Sequence, residues 1–147
     1  MCRSFCNEDH LGEYDSAKAN YEKAIAIREQ LPKDNPEYQN GLANAYNSLA
    51  YTYDKLGNYD KAIAAINTAI DIASKWKETD AKYLIYWITF RHSLSEIKFN
   101  NGKDLDEVKN TLLEIQPIAQ QCLKDNPNDE WTKTVNDDIS DLLSKIE

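Results

Sequence analysis

Apolar residues recur at steps of three and four positions along most of the chain, which is the spacing of an amphipathic α-helix. The clearest stripe follows a glycine at position 57 and consists of Tyr59, Ala62, Ile63, Ile66, Ala69, Ile70, Ala73 and Trp76. Stripes of the same period run from Leu42 to Tyr53 and from Tyr83 to Ile97. The pattern therefore predicts an all-α chain.

Proline and polar residues mark the first helix boundary. Pro32 and Pro36 bracket a short polar segment, so one helix is expected to end near Leu31. The next helix should begin with Asn35 as its N-cap and Pro36 in its first turn, because an Asn side chain accepts from free N–H groups and proline needs none.

Further signals place the later helix ends. Thr79 or Asp80 is expected to cap the next helix, and Asp104 the helix after that. Pro117 lies within this latter pattern and removes a helical N–H, which predicts a kink or an early stop. Residues 126–128, Asn-Pro-Asn, then end the pattern before a final amphipathic helix.

A segment of the sequence returns after 45 residues. Leu11–Ala17 reads LGEYDSA, and Leu56–Ala62 reads LGNYDKA. A third glycine, Gly102, follows after the same interval and aligns Val108 with Ile63. Each glycine is expected to lie in a turn between two helices, where a residue without Cβ is favoured. The repeating unit is therefore helix, turn, helix.

A small set of residues occupies fixed positions in these units. In the middle unit they are Tyr46, Leu49, Ala50, Tyr53, Gly57, Tyr59, Ala62, Ile66 and Ala69; in the first they are Gly12, Tyr14, Ala17, Tyr21 and Ala24. These residues resemble the motif of the tetratricopeptide repeat family over about Leu11 to Ile115. The third unit matches weakly, because Arg91, Ser95 and Lys98 stand where the middle unit has Tyr46, Ala50 and Tyr53. In its second helix, Glu107 stands where the family has a small residue. The resemblance implies a right-handed α-solenoid of helix hairpins with a C-terminal capping helix.

The 45-residue period exceeds the family's usual period of about 34, which predicts helices longer by nearly three turns in all. A HEAT-type repeat also fits this period, but it lacks the Gly-x-Tyr and alanine spacing. One domain is expected, made of a truncated first repeat (1–31), a second repeat (35–77), a divergent third repeat (80–125) and a capping helix (128–147). The helix before Gly12 should begin upstream of Met1, so the chain either belongs to a longer array or opens with a degenerate half-repeat.

Charge and composition narrow the classes of partner. The net charge is -8 with a pI near 4.8, which disfavours nucleic acid and anionic membranes. The chain contains no apolar run long enough to span a bilayer and no signal-peptide pattern at its start, so we expect a cytoplasmic protein. Three cysteines are too few for a disulfide framework and favour a reducing compartment.

Two groups of residues could carry chemistry. Cys2, Cys6 and His10 recur at four-residue steps, but one helical face is not a tetrahedral zinc site, so no metal is expected. His92 and Glu96 are also four residues apart, which suits either an acid–base pair or a solvated surface contact. Because no nucleophile motif, phosphate loop or zinc-protease motif accompanies them, neither an enzyme nor a cofactor is predicted.

The resemblance implies that partners bind in a concave groove lined by the first helix of each pair. The residues off the packing stripe on these helices are Asn44, Asn47, Tyr51, Asp54, Lys55, Thr89, His92, Glu96 and Asn100. We expect them to bind a protein or peptide partner rather than to form a merely solvated face. Tyr51 departs from the family version that clamps a C-terminal carboxylate, so that specificity is not predicted. The alternative function is a fragment or assembly unit of a larger regulatory or signalling protein, which self-associates through its open N-terminal end.

Overall fold

The structure is a computed structural model that describes residues 2–146, with the side chains of residues 12–146. Over residues 2–146 it contains six helices and no strand, which confirms the all-α helical-repeat fold. The helices are α1 (Cys2–Arg28), α2 (Pro36–Lys55), α3 (Tyr59–Trp76), α4 (Ala81–Asn100), α5 (Leu105–Asp125) and α6 (Glu130–Ile146). The contacts divide the chain into two compact units, Met1–Ala69 and Ile70–Glu147.

In the first unit, the predicted boundary between α1 and α2 is confirmed. Asn35 is the N-cap of α2, and its side-chain oxygen accepts hydrogen bonds from the backbone N–H groups of Glu37 and Tyr38 at 2.9 and 3.2 Å. Pro36 occupies the first turn, where its missing N–H costs no hydrogen bond. The side chain of Arg28 donates to the carbonyl oxygen of Gly41 at 2.6 Å and ties the end of α1 to α2.

Two tyrosines of α2 donate hydrogen bonds to carboxylates in α1 and directly after it. The hydroxyl of Tyr46 donates to Glu29 at 2.5 Å, and that of Tyr53 donates to Glu22 at 3.0 Å. Partial burial and, to a smaller extent, the neighbouring Glu29 raise the pKa of Tyr46 to about 12. The pKa of Tyr53 is raised for the same reasons, with Glu22 as its acceptor. Both hydroxyls therefore hold α2 on α1 while they are protonated.

The Tyr46 hydrogen bond predicts a loss of stability in alkali. The folded protein holds this proton more tightly than the unfolded chain, whose tyrosines titrate near pH 10. The stabilisation is thus fully present below pH 10 and is lost as the pH rises from 10 to 12. The free energy of unfolding can be measured with urea at pH 9 and at pH 11. It should differ less between the two pH values in Tyr46→Phe than in the wild type. Tyr38→Phe, on an exposed side chain, is the control; an unchanged difference in Tyr46→Phe would contradict the assignment.

The glycine turns are confirmed at two of the three predicted positions. Gly57 and Gly102 have φ of 78° and 64°, in the left-handed region where a Cβ is strained. The prediction is wrong at Gly12, which lies inside α1. A glycine permits a left-handed turn without requiring one, and its cost within a helix is only about 1 kcal/mol. The flanking helix-forming residues therefore continue α1 through Gly12.

The turn between α4 and α5 is one residue longer than the turn between α2 and α3. Residues 101–104 separate the former pair of helices, whereas residues 56–58 separate the latter. Asp104 takes a left-handed conformation with φ of 50°, which few residues other than glycine adopt. The displacement between the second and third units therefore changes from 45 to 46 residues after Gly102.

This longer turn corrects the sequence alignment of the third unit. The buried residues of α5 are Val108, Leu112, Ile115 and Ala119, and 46 residues earlier stand Ala62, Ile66, Ala69 and Ala73, which are also buried. Val108 thus aligns with Ala62 rather than with Ile63, and the exposed Glu107 does not occupy the small-residue position. The packing stripe of α5 is therefore apolar throughout, whereas α4 buries the polar residues His92 and Ser95.

In the second unit, the helix ends follow the predicted residues with two corrections. The carboxylate of Asp80 accepts the N–H of Lys82 at 3.0 Å and caps α4. Asp104 precedes α5 as expected, but its side chain makes no capping hydrogen bond. Pro117 does not end α5 early, because its ring is exposed and the buried residues on both sides of it hold the helix to Asp125.

The core of this unit lies among α4, α5 and α6. α5 contacts both of the other two helices, and α4 also contacts α6. Phe90, Leu112 and Ile139, one from each helix, are completely buried. The ring of Tyr86 meets that of Trp131 edge-on at 4.4 Å and joins α4 to the first turns of α6.

Candidate functional site

The five predicted residues of α2 share one helical face. Asn44, Asn47, Tyr51, Asp54 and Lys55 follow steps of three and four residues, which places them along one side of the helix. Asn44 and Lys55 are exposed, whereas Asn47 and Asp54 are half-buried. The Tyr51 side chain is 51% exposed, although tyrosine usually buries most of its ring. We call this surface the α2 face.

The α2 face combines an aromatic ring with amides and a cation. The ammonium of Lys55 lies 5.2 Å from the centroid of the Tyr51 ring, within the range of a cation–π interaction. The amides of Asn44 and Asn47 can each donate and accept hydrogen bonds. Tyr51 as a whole remains about half exposed beside this lysine. Such a surface can stack on an apolar side chain while its amides bond a backbone.

Two of the four predicted residues of α4 are less accessible than expected from their helical position. His92 is buried, and its Nε2 lies 4.0 Å from a carboxylate oxygen of Glu96. The hydroxyl of Thr89 already donates to the carbonyl oxygen of Ile85 at 2.7 Å. Glu96 and Asn100 are exposed. The interpretation of His92 and Glu96 as a solvated surface pair is therefore wrong for the imidazole.

Helix α6 accounts for the burial of His92. His92, Glu96 and Asn100 line a small cavity of about 210 Å³ together with residues of α6. The charged α6 residues at this cavity are Asp138, Asp141 and Lys145. Lys145 forms an ion pair with Asp141 at 3.0 Å. The other carboxylates that line the cavity are those of Glu96 and Asp138.

These α6 residues were missed by the sequence interpretation. Asp138, Asp141 and Lys145 follow steps of three and four residues, which is a readable helical face. The sequence predicts a final amphipathic capping helix there and assigns these three residues no role. Its placement beside α4 depends on how α6 packs in the unit, which periodicity along one helix does not specify.

Metal sites and membrane spans are both absent from the described part of the chain. Among the described side chains, no group of three or more His, Cys, Asp and Glu residues is arranged to hold a metal ion. Cys2, Cys6 and His10 lie outside the residues whose side chains are described. No described helix is both long enough and apolar enough to cross a membrane.

Comparison with known proteins identifies the repeat. Residues 8–75 match the tetratricopeptide repeat family, a range that includes all of α2 and nearly all of α3. Neither the curated proteins nor the solved structures give a significant match. The matched range contains the α2 face and the helix pair on either side of Gly57. The similarity to the tetratricopeptide repeat family therefore covers residues 8–75.

Proposed function

We propose that this chain is a non-catalytic protein–protein interaction module that binds a segment of a partner protein on the α2 face. Tetratricopeptide repeats generally mediate protein–protein interaction, and their family is typically non-enzymatic. The observation that carries the proposal is the half-exposed Tyr51, which lies between two asparagines and a lysine on one face of α2. Aromatic side chains of this kind are enriched in protein interfaces.

The chemistry of the α2 face suits an extended peptide. The amides of Asn44 and Asn47 lie one turn apart and can bond successive peptide groups of such a segment. The Tyr51 ring offers a flat apolar surface with little conformational entropy to lose on binding. Asp54 and Lys55 border the ring with opposite charges, which can fix the orientation of a polar partner. We propose that α2 supplies the main contacts.

The predicted residues of α4 are assigned a smaller part. Glu96 and Asn100 are the accessible members of that set, and His92 contributes only its narrow exposed edge. Thr89 has its hydroxyl donor engaged within α4, so it offers an acceptor at most. We propose that Glu96 and Asn100 add polar contacts to a partner. The protein is proposed to act in the cytoplasm as a scaffold.

Affinity capture with the wild type and with the double variant Asn47→Ala plus Tyr51→Ala tests this function. Removing an exposed aromatic anchor typically costs an interface about 2 kcal/mol, so recovery of specific partners should fall by tenfold or more. Quantitative mass spectrometry of the captured proteins provides the measurement. The reason for the loss is the missing ring of Tyr51, which is exposed, together with the amide of Asn47, which is half-buried.

Tyr38→Ala is the matched control for this experiment. Tyr38 is on the same helix and is 44% exposed, but it lies 13 residues before Tyr51 and so faces a different direction. It should leave partner recovery unchanged. Equal recovery of every partner by the wild type and the double variant would refute the assignment of the α2 face.

A further inference from the structure

His92 is a buried residue whose imidazole forms no hydrogen bond with the described part of the chain. The residue is 9% exposed, and its Nε2 atom lies 4.0 Å from a carboxylate oxygen of Glu96, which is too far for a hydrogen bond. Buried polar groups are almost always hydrogen-bonded to the protein, to water or to a ligand. The imidazole of His92 therefore requires a partner that the described side chains do not supply.

This imidazole lines the cavity of about 210 Å³ between α4 and α6, which both belong to the unit Ile70–Glu147. We call it the α4–α6 cavity. Its α4 wall also contains Glu96, Phe99 and Asn100, and its α6 wall contains Asp138. Each wall thus carries a carboxylate, and the α4 wall adds an aromatic ring and an amide.

The lining of the α4–α6 cavity has an excess of negative charge. Its ammonium group, that of Lys145, forms an ion pair with Asp141 at 3.0 Å, so these two charges offset each other. Among the described residues, no lysine or arginine side chain pairs with Glu96 or Asp138. Their carboxylates favour a cationic group from outside the chain and repel an anionic one.

The size and the acceptors of the cavity indicate which cationic group fits. Pockets that hold a whole small-molecule ligand measure about 300–1,000 Å³, so this smaller cavity suits one functional group of a larger molecule. The two carboxylates, the carbonyl oxygen of Asn100 and one nitrogen of a neutral imidazole all accept hydrogen bonds. A guanidinium group has five N–H donors in one plane, whereas an ammonium has three and is more strongly hydrated. The ring of Phe99 also offers a face on which a planar guanidinium can stack.

We propose that the α4–α6 cavity binds the guanidinium group of an arginine side chain that belongs to a partner protein. The guanidinium donates hydrogen bonds to Glu96 on one wall, to Asp138 on the other and to the ring of His92. The inference rests on the proposed function, which supplies the partner. It names the chemical group that this partner contributes beside Glu96 and Asn100.

A metal ion and a free amino acid fit this cavity less well. Among the described side chains, no group of three or more His, Cys, Asp and Glu residues is arranged to hold a metal ion. Free arginine has an α-carboxylate close to its side chain, which Glu96 and Asp138 would repel. An arginine within a protein chain has no such charge, because its carboxyl group is part of a peptide bond.

NMR spectroscopy of the histidine ring tests the cavity directly. The chain contains two histidines, so the variant His10→Gln leaves the ring signal of His92 alone. The probe is N-acetyl-L-arginine methylamide, whose only charge is the guanidinium. At constant pH it should shift this signal in a saturable way with a Kd of about 1–10 mM, because one group that meets partly exposed carboxylates binds weakly. The corresponding lysine derivative should bind at least about threefold more weakly, and potassium chloride, the control for ionic strength, should give no saturable shift.

Two variants assign the binding to the walls of the cavity. In the His10→Gln background, Glu96→Gln and Asp138→Asn should each weaken binding of the arginine probe at least about fivefold, because each removes a charge-assisted hydrogen bond. Asp137→Asn is the matched control. Asp137 is an exposed carboxylate of α6 that does not line the cavity, so the same change in net charge should leave the affinity unchanged.

Four outcomes would overturn the proposal. The first is the absence of a saturable shift, and the second is an equal loss of affinity in Asp137→Asn and Asp138→Asn. The third is free arginine binding as tightly as the blocked derivative, since the ligand would then be a small molecule rather than a protein. The fourth is a shift of the His92 signal by micromolar zinc chloride, which would identify a metal site.

The outcome of the capture experiment on the α2 face is independent of these readouts. Equal recovery of partners by the wild type and the Asn47→Ala plus Tyr51→Ala variant would refute the α2 face. Binding of the arginine probe would be unaffected, because the α4–α6 cavity contains no residue of α2. Failure of the cavity and failure of the proposed function are therefore distinguishable.

Discussion

The substitution Leu112→Ala is expected to lower the free energy of unfolding by about 2–5 kcal/mol, whereas Leu113→Ala should change it by less than about 1 kcal/mol. The two leucines are neighbours on α5. Leu112 is completely buried and Leu113 is 47% exposed. Truncating the buried side chain removes its contacts and leaves a cavity, while the exposed one loses little on becoming alanine.

Urea denaturation followed by tryptophan fluorescence is a suitable measurement. All three tryptophans, Trp76, Trp87 and Trp131, lie in the compact unit Ile70–Glu147, which also contains both leucines. The signal therefore reports the unit in which the substitution is made. Circular dichroism at 222 nm, recorded on the same samples, reports the helices of both units.

This pair of substitutions also tests the register of the third unit. At a displacement of 46 residues, Leu112 corresponds to the buried Ile66 and Leu113 to the exposed Asn67. At 45 residues, Leu112 would correspond to Asn67 and would be the less sensitive position. Similar losses for the two variants, or a larger loss for Leu113→Ala, would contradict the longer turn at Asp104.

From α2 onward the sequence was sufficient to locate the helices, because neighbouring residues determine their ends. Asn35 and Pro36 start α2, and Gly57 ends the first helix of its pair, each for a reason that involves only neighbouring residues. The register after Gly102 was not predictable in this way. It depends on one inserted residue, Asp104, which takes a left-handed conformation. Aspartate can adopt this conformation, but no neighbouring residue in the sequence indicates that it does.

The candidate site was predictable on α2 and much less so on α4. The polar residues of α2, such as Asn44 and Lys55, face away from a single packing stripe, so periodicity alone shows that they are exposed. α4 packs against both α5 and α6 and buries residues on several sides, from Tyr83 to His92. A helix covered on more than one side has no single polar face to read.

Aligning the units by their glycines made the third unit match the repeat pattern less well than it does. With Gly102 taken as the reference, Glu107 falls at a position that needs a small or apolar residue, and the unit looks degraded. Burial of Val108 and Ile115 restores the apolar pattern one residue later.

The three aligned glycines should respond to alanine with opposite signs. Gly12→Ala is expected to raise the free energy of unfolding by about 0.5–1 kcal/mol, because Gly12 lies inside α1 and an added Cβ would meet no atom within 4 Å. Gly57→Ala and Gly102→Ala are each expected to lower it by about 1–2 kcal/mol. At these two turns the space for a Cβ is also open, so the loss comes from the positive φ alone.

Asparagine separates backbone strain from packing in this series. Gly57→Asn and Gly102→Asn should lose less stability than the alanine variants, because asparagine tolerates the left-handed region better than alanine does. At Gly12, by contrast, asparagine should be worse than alanine, since it is the poorer helix former. Urea unfolding of the six variants ranks alanine against asparagine by free energy of unfolding at each of the three positions. If alanine destabilised all three positions equally, Gly12 would be a turn residue like the other two, and α1 would be two helices rather than one.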